Sequence, residues 1–319
     1  MTLPSLDTDE LVRVAWLYHI GQMSQEEVSR RLGISRFKVI RFLAEARERG
    51  LVRFRLEHET TGTLALADRL TQTFDLTDAQ VAPVPGGMED ADFARRAVGI
   101  VAAAFLARIG RQAGTPLTIG VGWGRTVAAM VQALTGLHNP DLRFVSLMGS
   151  MTRTSDTSPV DVCTRLAALT GGSAMFLPAP FLCDSEADCQ IVLNQRLVRE
   201  ALVAAREAQY AIISVGECTA DALVYKSGIL TSDEAQALHR AGAVGDTTGK
   251  FFRADGTLAV TDLNLRAPSI SLGDLGKTDV MLLAAGRAKT RATLAVLRAG
   301  FVRRLIVDET VAMELLATP

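Results

Sequence analysis

The sequence predicts the α/β class: a small N-terminal helix-turn-helix domain followed by a large, doubly wound, mostly parallel α/β sheet domain. Three observations carry this. Two short, capped helical segments flank a glycine turn near the N-terminus, the longer remainder alternates strand-like with helix-like runs, and glycine-rich turns fall where strands give way to helices. A length of 319 residues suits two domains, with expected extents 1–60 and 61–319.

In the first domain, Leu11, Val14, Ala15, Leu17, Tyr18 and Ile20 recur at helical spacing. Ser24 followed by Glu27 reads as the capped start of a second helix. Gly33 interrupts it, and a third helix is expected from Ser35 to Arg47, capped by Ser35 and ended near Gly50. The alternation in LVRFRL predicts a strand or small wing over 51–56. Thr61-Gly62-Thr63 is the expected linker.

The second domain begins with a helical pattern over 64–75, a short apolar run over 79–84 and a long helix over 90–109. Strands are expected at 117–122, 142–149, 173–179, 209–216, 278–285 and 303–308. Helices are expected at 125–137, 160–170, 196–207, 232–241, 288–299 and 309–317. This βαβ alternation predicts a parallel sheet with helices on both faces, whose ligands bind beyond the carboxyl ends of the strands.

Composition narrows the function. The 34 Lys and Arg against 35 Asp and Glu give a net charge of −1, with 48% apolar residues, which excludes a disordered chain or one basic throughout. The average conceals segregation. Residues 1–10 hold three acids, residues 11–55 hold ten basic and four acidic side chains, and the rest sums to about −4. The longest apolar stretch, Ala97–Ala107, has eleven residues, against the roughly 20 a membrane helix needs. The acidic N-terminus lacks the features of a secretory signal, so a cytoplasmic location and no membrane partner are expected. The four cysteines form no CxxC pair, so no metal site, cofactor or disulfide is expected, only reduced thiols in or near the core.

Residues 24–41 have the form of a helix-turn-helix. Val28, Leu32, Ile34, Val39 and Phe42 would hold its helices together. Ser24 and Gln25 on the positioning helix, with Ser35, Arg36, Phe37, Lys38 and Arg41 on the second, are the candidate contacts to double-stranded operator DNA. A solvated basic surface is the alternative. Against it stand the capped helix pair, the Gly-Ile-Ser turn, and nine basic against two acidic side chains over 30–55. One such module binds weakly, so a homo-oligomer is expected.

Gly120-Val121-Gly122-Trp123-Gly124-Arg125-Thr126 lies at a strand-to-helix transition, where glycines bring backbone N–H groups close to an anion. It is neither a Walker A loop nor a GxGxxG fingerprint, and a tight turn serving packing alone is the alternative. Asp246 and Lys289 lie in further turns, individually readable as a loop cap and a surface residue. Together the three segments offer anion donors, an acid for sugar hydroxyls and a cation for phosphate, a combination suited to a sugar phosphate.

The chain resembles the SorC family of bacterial sugar-binding transcriptional regulators in SQEEVSRRLGISRFKVIRFLAEARERGLV, IGVGWGRT, FLPAPF, AGAVGDTTGKFF and AAGRAKTRATLAVLRAGFVRRLIVDE. The resemblance implies a DNA-binding domain joined to an effector domain similar to sugar-phosphate isomerases, assembled as a dimer or tetramer. It implies a phosphate loop of Gly122, Gly124, Arg125 and Thr126, then Gly149 and Ser150 after the next strand, with Asp246 and Lys289 in the effector pocket. Trp123 and Arg125 depart from the commonest loop and leave a non-phosphorylated sugar or polyol open.

The function expected is operator binding controlled by such an effector. Two alternatives are an isomerase or deaminase using Asp246 as general base with Lys289 near the phosphate or carbonyl, and a constitutive DNA binder whose large domain only oligomerises. Against the enzyme, His19, His58, His138 and His239 all lie outside the site motifs, so no catalytic residue is assigned.

Overall fold

The chain divides into two units, Met1–Glu59 and Thr60–Pro319, each considered by itself. The computed structural model describes residues 6–21, 23–52, 61–84, 90–114, 116–151, 157–219, 222–226 and 228–318. In the first unit, helices α1 (Leu6–His19), α2 (Gln25–Leu32) and α3 (Arg36–Glu48) surround one apolar core. Ser24 and Glu27 form a reciprocal capping box on α2, and the Ser35 hydroxyl accepts the Lys38 N–H on α3. These bonds satisfy donors that a helix start otherwise leaves open. Gly33, at φ 66°, closes α2 in the left-handed region, where a side chain would be strained.

Leu11 and Val14 from α1, Val28 from α2, and Val39, Phe42 and Leu43 from α3 are buried together, with Leu32 and Ile34 packed at the edge. The wing expected over 51–56 begins as a bend at 51–52 and otherwise lies outside the described residues.

The second unit opens with α4 (Thr61–Thr73), so the Thr61-Gly62-Thr63 stretch expected as linker is instead the start of a helix. There follow β1 (Asp78–Ala82), α5 (Ala91–Gln112), β2 (Leu117–Val121), α6 (Arg125–Ala133), β3 (Leu142–Ser146), α7 (Pro159–Thr170) and β4 (Ser173–Met175). Next come α8 (Glu186–Leu193), α9 (Arg196–Arg206), β5 (Tyr210–Ser214), β6 (Gly216–Glu217), α10 (Leu223–Lys226), α11 (Ser232–Arg240), β7 (Ala243–Thr247) and β8 (Lys250–Arg253). The chain ends with α12 (Leu263–Arg266), α13 (Leu272–Leu275), β9 (Asp279–Ala284), α14 (Thr290–Arg298), β10 (Arg304–Asp308) and α15 (Glu309–Ala317).

Seven strands form one parallel sheet in the order β1-β10-β9-β5-β2-β3-β4. Its strands are apolar on both faces. In β9, Val280, Leu282 and Ala284 pack toward α4, α14 and α15, whereas Met281 and Leu283 pack toward α5, α6 and α7. The period-two side-chain alternation of a strand thus feeds two cores, which is the doubly wound arrangement expected.

Strand β4 is shorter than the run at 173–179, and β6, β7 and β8 form a separate three-stranded antiparallel sheet. Asp246, expected in a loop, lies on β7. Cys163, Cys183 and Cys189 are buried and Cys218 half-buried, all as free thiols. Burial pushes the Cys163 thiol up to about 12, which keeps it unreactive near neutral pH.

Candidate functional site: a charged cavity at the switch point of the sheet

Strands β2 and β5 are neighbours at the middle of the sheet, yet the chain leaves β2 toward β3 on one side and leaves β5 toward β9 on the other. Such a reversal opens a crevice beyond the carboxyl ends of the two strands. A cavity lies there, lined by Gly124, Arg125 and Thr126 after β2, Ser214 to Glu217 from the end of β5 through β6, Asp246 from β7, and Lys289.

Local sequence explains each wall. Gly124, at φ 124°, is the N-cap of α6 and offers no side-chain cap, so N–H groups of the first helical turn stay available to a ligand. A Cβ at this position would lie 2.5 Å from Ser214 Oγ, whose hydroxyl donates to the Trp123 carbonyl at 2.7 Å. Trp123 is held by an edge contact with Phe181, ring centroids 5.4 Å apart. Lys289 ends a short 3₁₀ turn that follows Gly286, and the Gly286 N–H donates to Asp308 Oδ2 at 2.6 Å.

On the far wall, Gly216 of β6 pairs with Asp246 of β7. The Asp246 carboxylate occupies the space that a side chain on residue 216 would need. Asp246 is 3% exposed. Burial is the main cause that pushes its carboxyl up to about 7; Lys289 opposes the rise and Glu217 adds to it.

Glu217, next to Asp246 across the small sheet, is the residue that sequence reasoning missed. Its carboxylate pairs with the Lys289 ammonium, and its Oε1 lies 3.7 Å from the Arg125 guanidinium. The signal available was an acid immediately after the strand expected at 209–216. The structure therefore brings together Gly124, Arg125, Thr126, Asp246 and Lys289.

Gly122, Gly149 and Ser150 do not line this cavity. The Gly122 N–H donates to the Ile212 carbonyl at 2.8 Å, tying the end of β2 to β5. Gly149 packs against the Pro180 backbone with no room for a Cβ, and the Ser150 N–H donates to the Ala179 carbonyl at 2.9 Å. All three serve backbone packing at the strand ends. Among the described residues, no group of His, Cys, Asp and Glu is arranged to hold a metal ion, and no helix is long and apolar enough to cross a membrane.

In the N-terminal unit, Arg36, Phe37, Ile40, Arg41 and Ala44 share an exposed face of α3, with Phe37 79% exposed. Ser35 is exposed beside them, and Ser24 and Gln25 sit at the start of α2, exposed and half-buried. Lys38, another of the candidate DNA contacts, is already engaged within the unit, its ammonium pairing with Glu10 of α1 at 2.8 Å.

A helix pair with an exposed basic face, followed by an α/β unit with a polar cavity at its switch point, defines a transcriptional regulator with a small-molecule-binding domain. The family described as "Putative sugar-binding domain" matches residues 58–317. The chain is 33% identical over 313 residues, 98% of each chain, to the erythritol catabolism regulatory protein EryD of Brucella abortus. It is 30% identical over 320 residues to the transcriptional regulator LsrR of Klebsiella pneumoniae, covering 98% of this chain and 94% of that one. The full-length sorbitol operon regulator SorC from Klebsiella pneumoniae shares the fold, with a TM-score of 0.76 and 23% identity over 98% of this chain and 100% of that one. The chain belongs to this SorC-like family of sugar-binding transcriptional regulators.

Proposed function

We propose that the N-terminal unit binds double-stranded operator DNA in the cytoplasm, and that a sugar-type effector in the switch-point cavity sets operator affinity. The observation that carries this is the cavity itself, where donors from α6, two buried acids and Lys289 converge on one small volume. On the DNA side, Arg36 and Arg41 suit bidentate contact with guanine or a phosphate, and Phe37 and Ile40 suit apolar contact with thymine methyl groups. Ser24, Gln25 and Ser35 suit phosphate contacts that fix register. Lys38 serves the interface only after leaving Glu10.

The protein acts as a homo-oligomer, dimer or tetramer, because two-fold related helix pairs are what paired half-sites require. The effector is drawn from sugars, polyols and their phosphates, a range supported by the erythritol named for one relative. Gly122, Gly149 and Ser150 support the cavity by fixing the strand ends around it.

Control requires that the effector bind two conformations of the assembly unequally. A coupling of about 1–3 kcal/mol changes operator affinity roughly 5- to 150-fold. Fluorescence anisotropy on labelled operator, with and without each member of a panel of sugars, polyols and sugar phosphates, measures this directly. A change in that range for at least one member supports the reading; unchanged operator affinity across the panel, with no thermal stabilisation, refutes it.

The cavity binds without turnover. Among the described residues no histidine lines it, and its acid and its lysine already face Glu217. Panel members incubated with the protein are expected back unchanged by chromatography, and conversion of any one would establish the isomerase or deaminase alternative.

A further inference from the structure

Apart from the switch-point cavity, a groove of about 440 Å³ runs along α14, bounded by α15 and by the turn after β8. That volume is in the range of small-molecule sites. Arg287, Arg291, Leu294 and Arg298 line it at spacings of four, three and four residues, which is one face of a helix, with Glu314 from α15 and Ala254 from the turn. It shares no residue with the first cavity. The two meet only at the short 3₁₀ turn Arg287–Lys289, whose first residue lines the groove and whose last lines the cavity.

The groove sets three guanidiniums against one carboxylate. Both oxygens of Glu314 are engaged: Arg287 Nε pairs with Oε1 at 2.7 Å, and the Thr290 hydroxyl donates to Oε2 at 2.7 Å. At the other end, Arg298 Nη1 donates to the Ala254 carbonyl at 3.0 Å. A guanidinium has five N–H donors, so bonds of this kind fix its position without exhausting it. Arg291 is exposed and has no ion-pair partner among the described residues.

A stripe that only kept a helix face solvated would be arranged otherwise. Arg291 stands in the first turn of α14, where a cation opposes the helix dipole and where no acid is present. Arg287, four residues before it, adds like-charge repulsion.

We propose that this groove is a second ligand site, which takes an elongated organic anion with a phosphate or carboxylate group at each end. Arg291 and Arg298 stand seven residues apart, about 10 Å along the helix axis. Leu294, 6% exposed, lies between them and gives a carbon skeleton an apolar floor. Guanidinium forks at the two ends match carboxylate and phosphate oxygens bidentately. This site goes beyond the effector-controlled reading above and does not rest on it.

Isothermal titration calorimetry on the full chain, at about 0.15 M salt to screen non-specific attraction, tests the site. Pimelate and hexanediol bisphosphate are set against the single-ended hexanoate and inorganic phosphate. The wild type is expected to bind one of the double-ended probes saturably, one per chain, and at least about tenfold more tightly than its single-ended counterpart, because the second end binds intramolecularly. Arg291→Glu and Arg298→Gln, both at exposed positions, should each weaken that binding at least about fivefold through loss of a charge-assisted contact. Lys289→Met, in the first cavity, should leave it unchanged.

Loss of binding in Lys289→Met, or its retention in either arginine variant, overturns the assignment to this groove. Equal affinity for double-ended and single-ended probes overturns the ligand class. Binding that never saturates leaves the stripe as surface charge only and overturns the site.

Discussion

Asp246 makes stability depend on pH in a direction opposite to that of most paired carboxylates. Its carboxyl ordinarily releases its proton near 3.8, and in the folded chain burial pushes that up to about 7. Between these values the folded state holds a proton that the unfolded chain has lost. The contribution to stability is therefore greatest below about 3.8, falls as pH rises through the window, and is constant above about 7. About three units at about 1.4 kcal/mol each set a ceiling near 4 kcal/mol. Between about pH 5.5 and about pH 8.5 only some 1.5 units lie inside the window, or about 2 kcal/mol.

Asp246→Asn removes the titration while keeping the shape. Relative to wild type it should gain about 2 kcal/mol between those two pH values, read by urea unfolding of the two proteins in parallel. Comparing the proteins at each pH cancels titrations elsewhere in the chain. A stability difference that stays flat with pH, or that changes in the opposite sense, would refute the burial argument. It would mean that Lys289 compensates the buried charge.

Other perturbations address the remaining parts. Gly216→Ala places a methyl group where the Asp246 carboxylate sits, so effector-induced stabilisation in a thermal-shift assay should disappear while the ligand-free protein still binds operator. Phe42→Ala, removing a ring 2% exposed in the small core, should cost the N-terminal unit about 3–5 kcal/mol, seen as early loss of its helical circular dichroism and of operator binding. Ser35→Ala should cost about 1 kcal/mol through the lost cap on α3, measured by the same denaturation. Arg36→Ala and Arg41→Ala should each weaken operator binding and lower the slope of log affinity against log salt by about one; unchanged slopes would remove α3 from the interface.

Where the signal was local, the sequence was readable. Ser24, Glu27, Gly33 and Ser35 act within a few residues of themselves, and they placed α2 and α3 to within a residue or so. The apolar runs of β2, β3, β5, β9 and β10 are buried on both faces, so their composition alone marked them. Reading failed where structure depends on distant pairing. Strands β6 and β7 are short, and they exist as strands because Gly216 and Glu217 meet Asp246 and Gly245 across an intervening segment that holds α10 and α11.

The same reason hid Glu217. Its neighbours in sequence gave it no chemistry, whereas its partners, Arg125 and Lys289, lie 92 residues before it and 72 after. Asp246 and Lys289 were singled out by the turns expected around them, and the family resemblance presents them as an effector pocket's acid and lysine. What changes that pocket's character is one carboxylate between the two cations. A family pattern records which positions face a ligand; the charge those positions present is decided by every group that folds against them. Here Glu217 sets its single negative charge against both Arg125 and Lys289, which weakens the positive field that the two cations alone would offer a ligand.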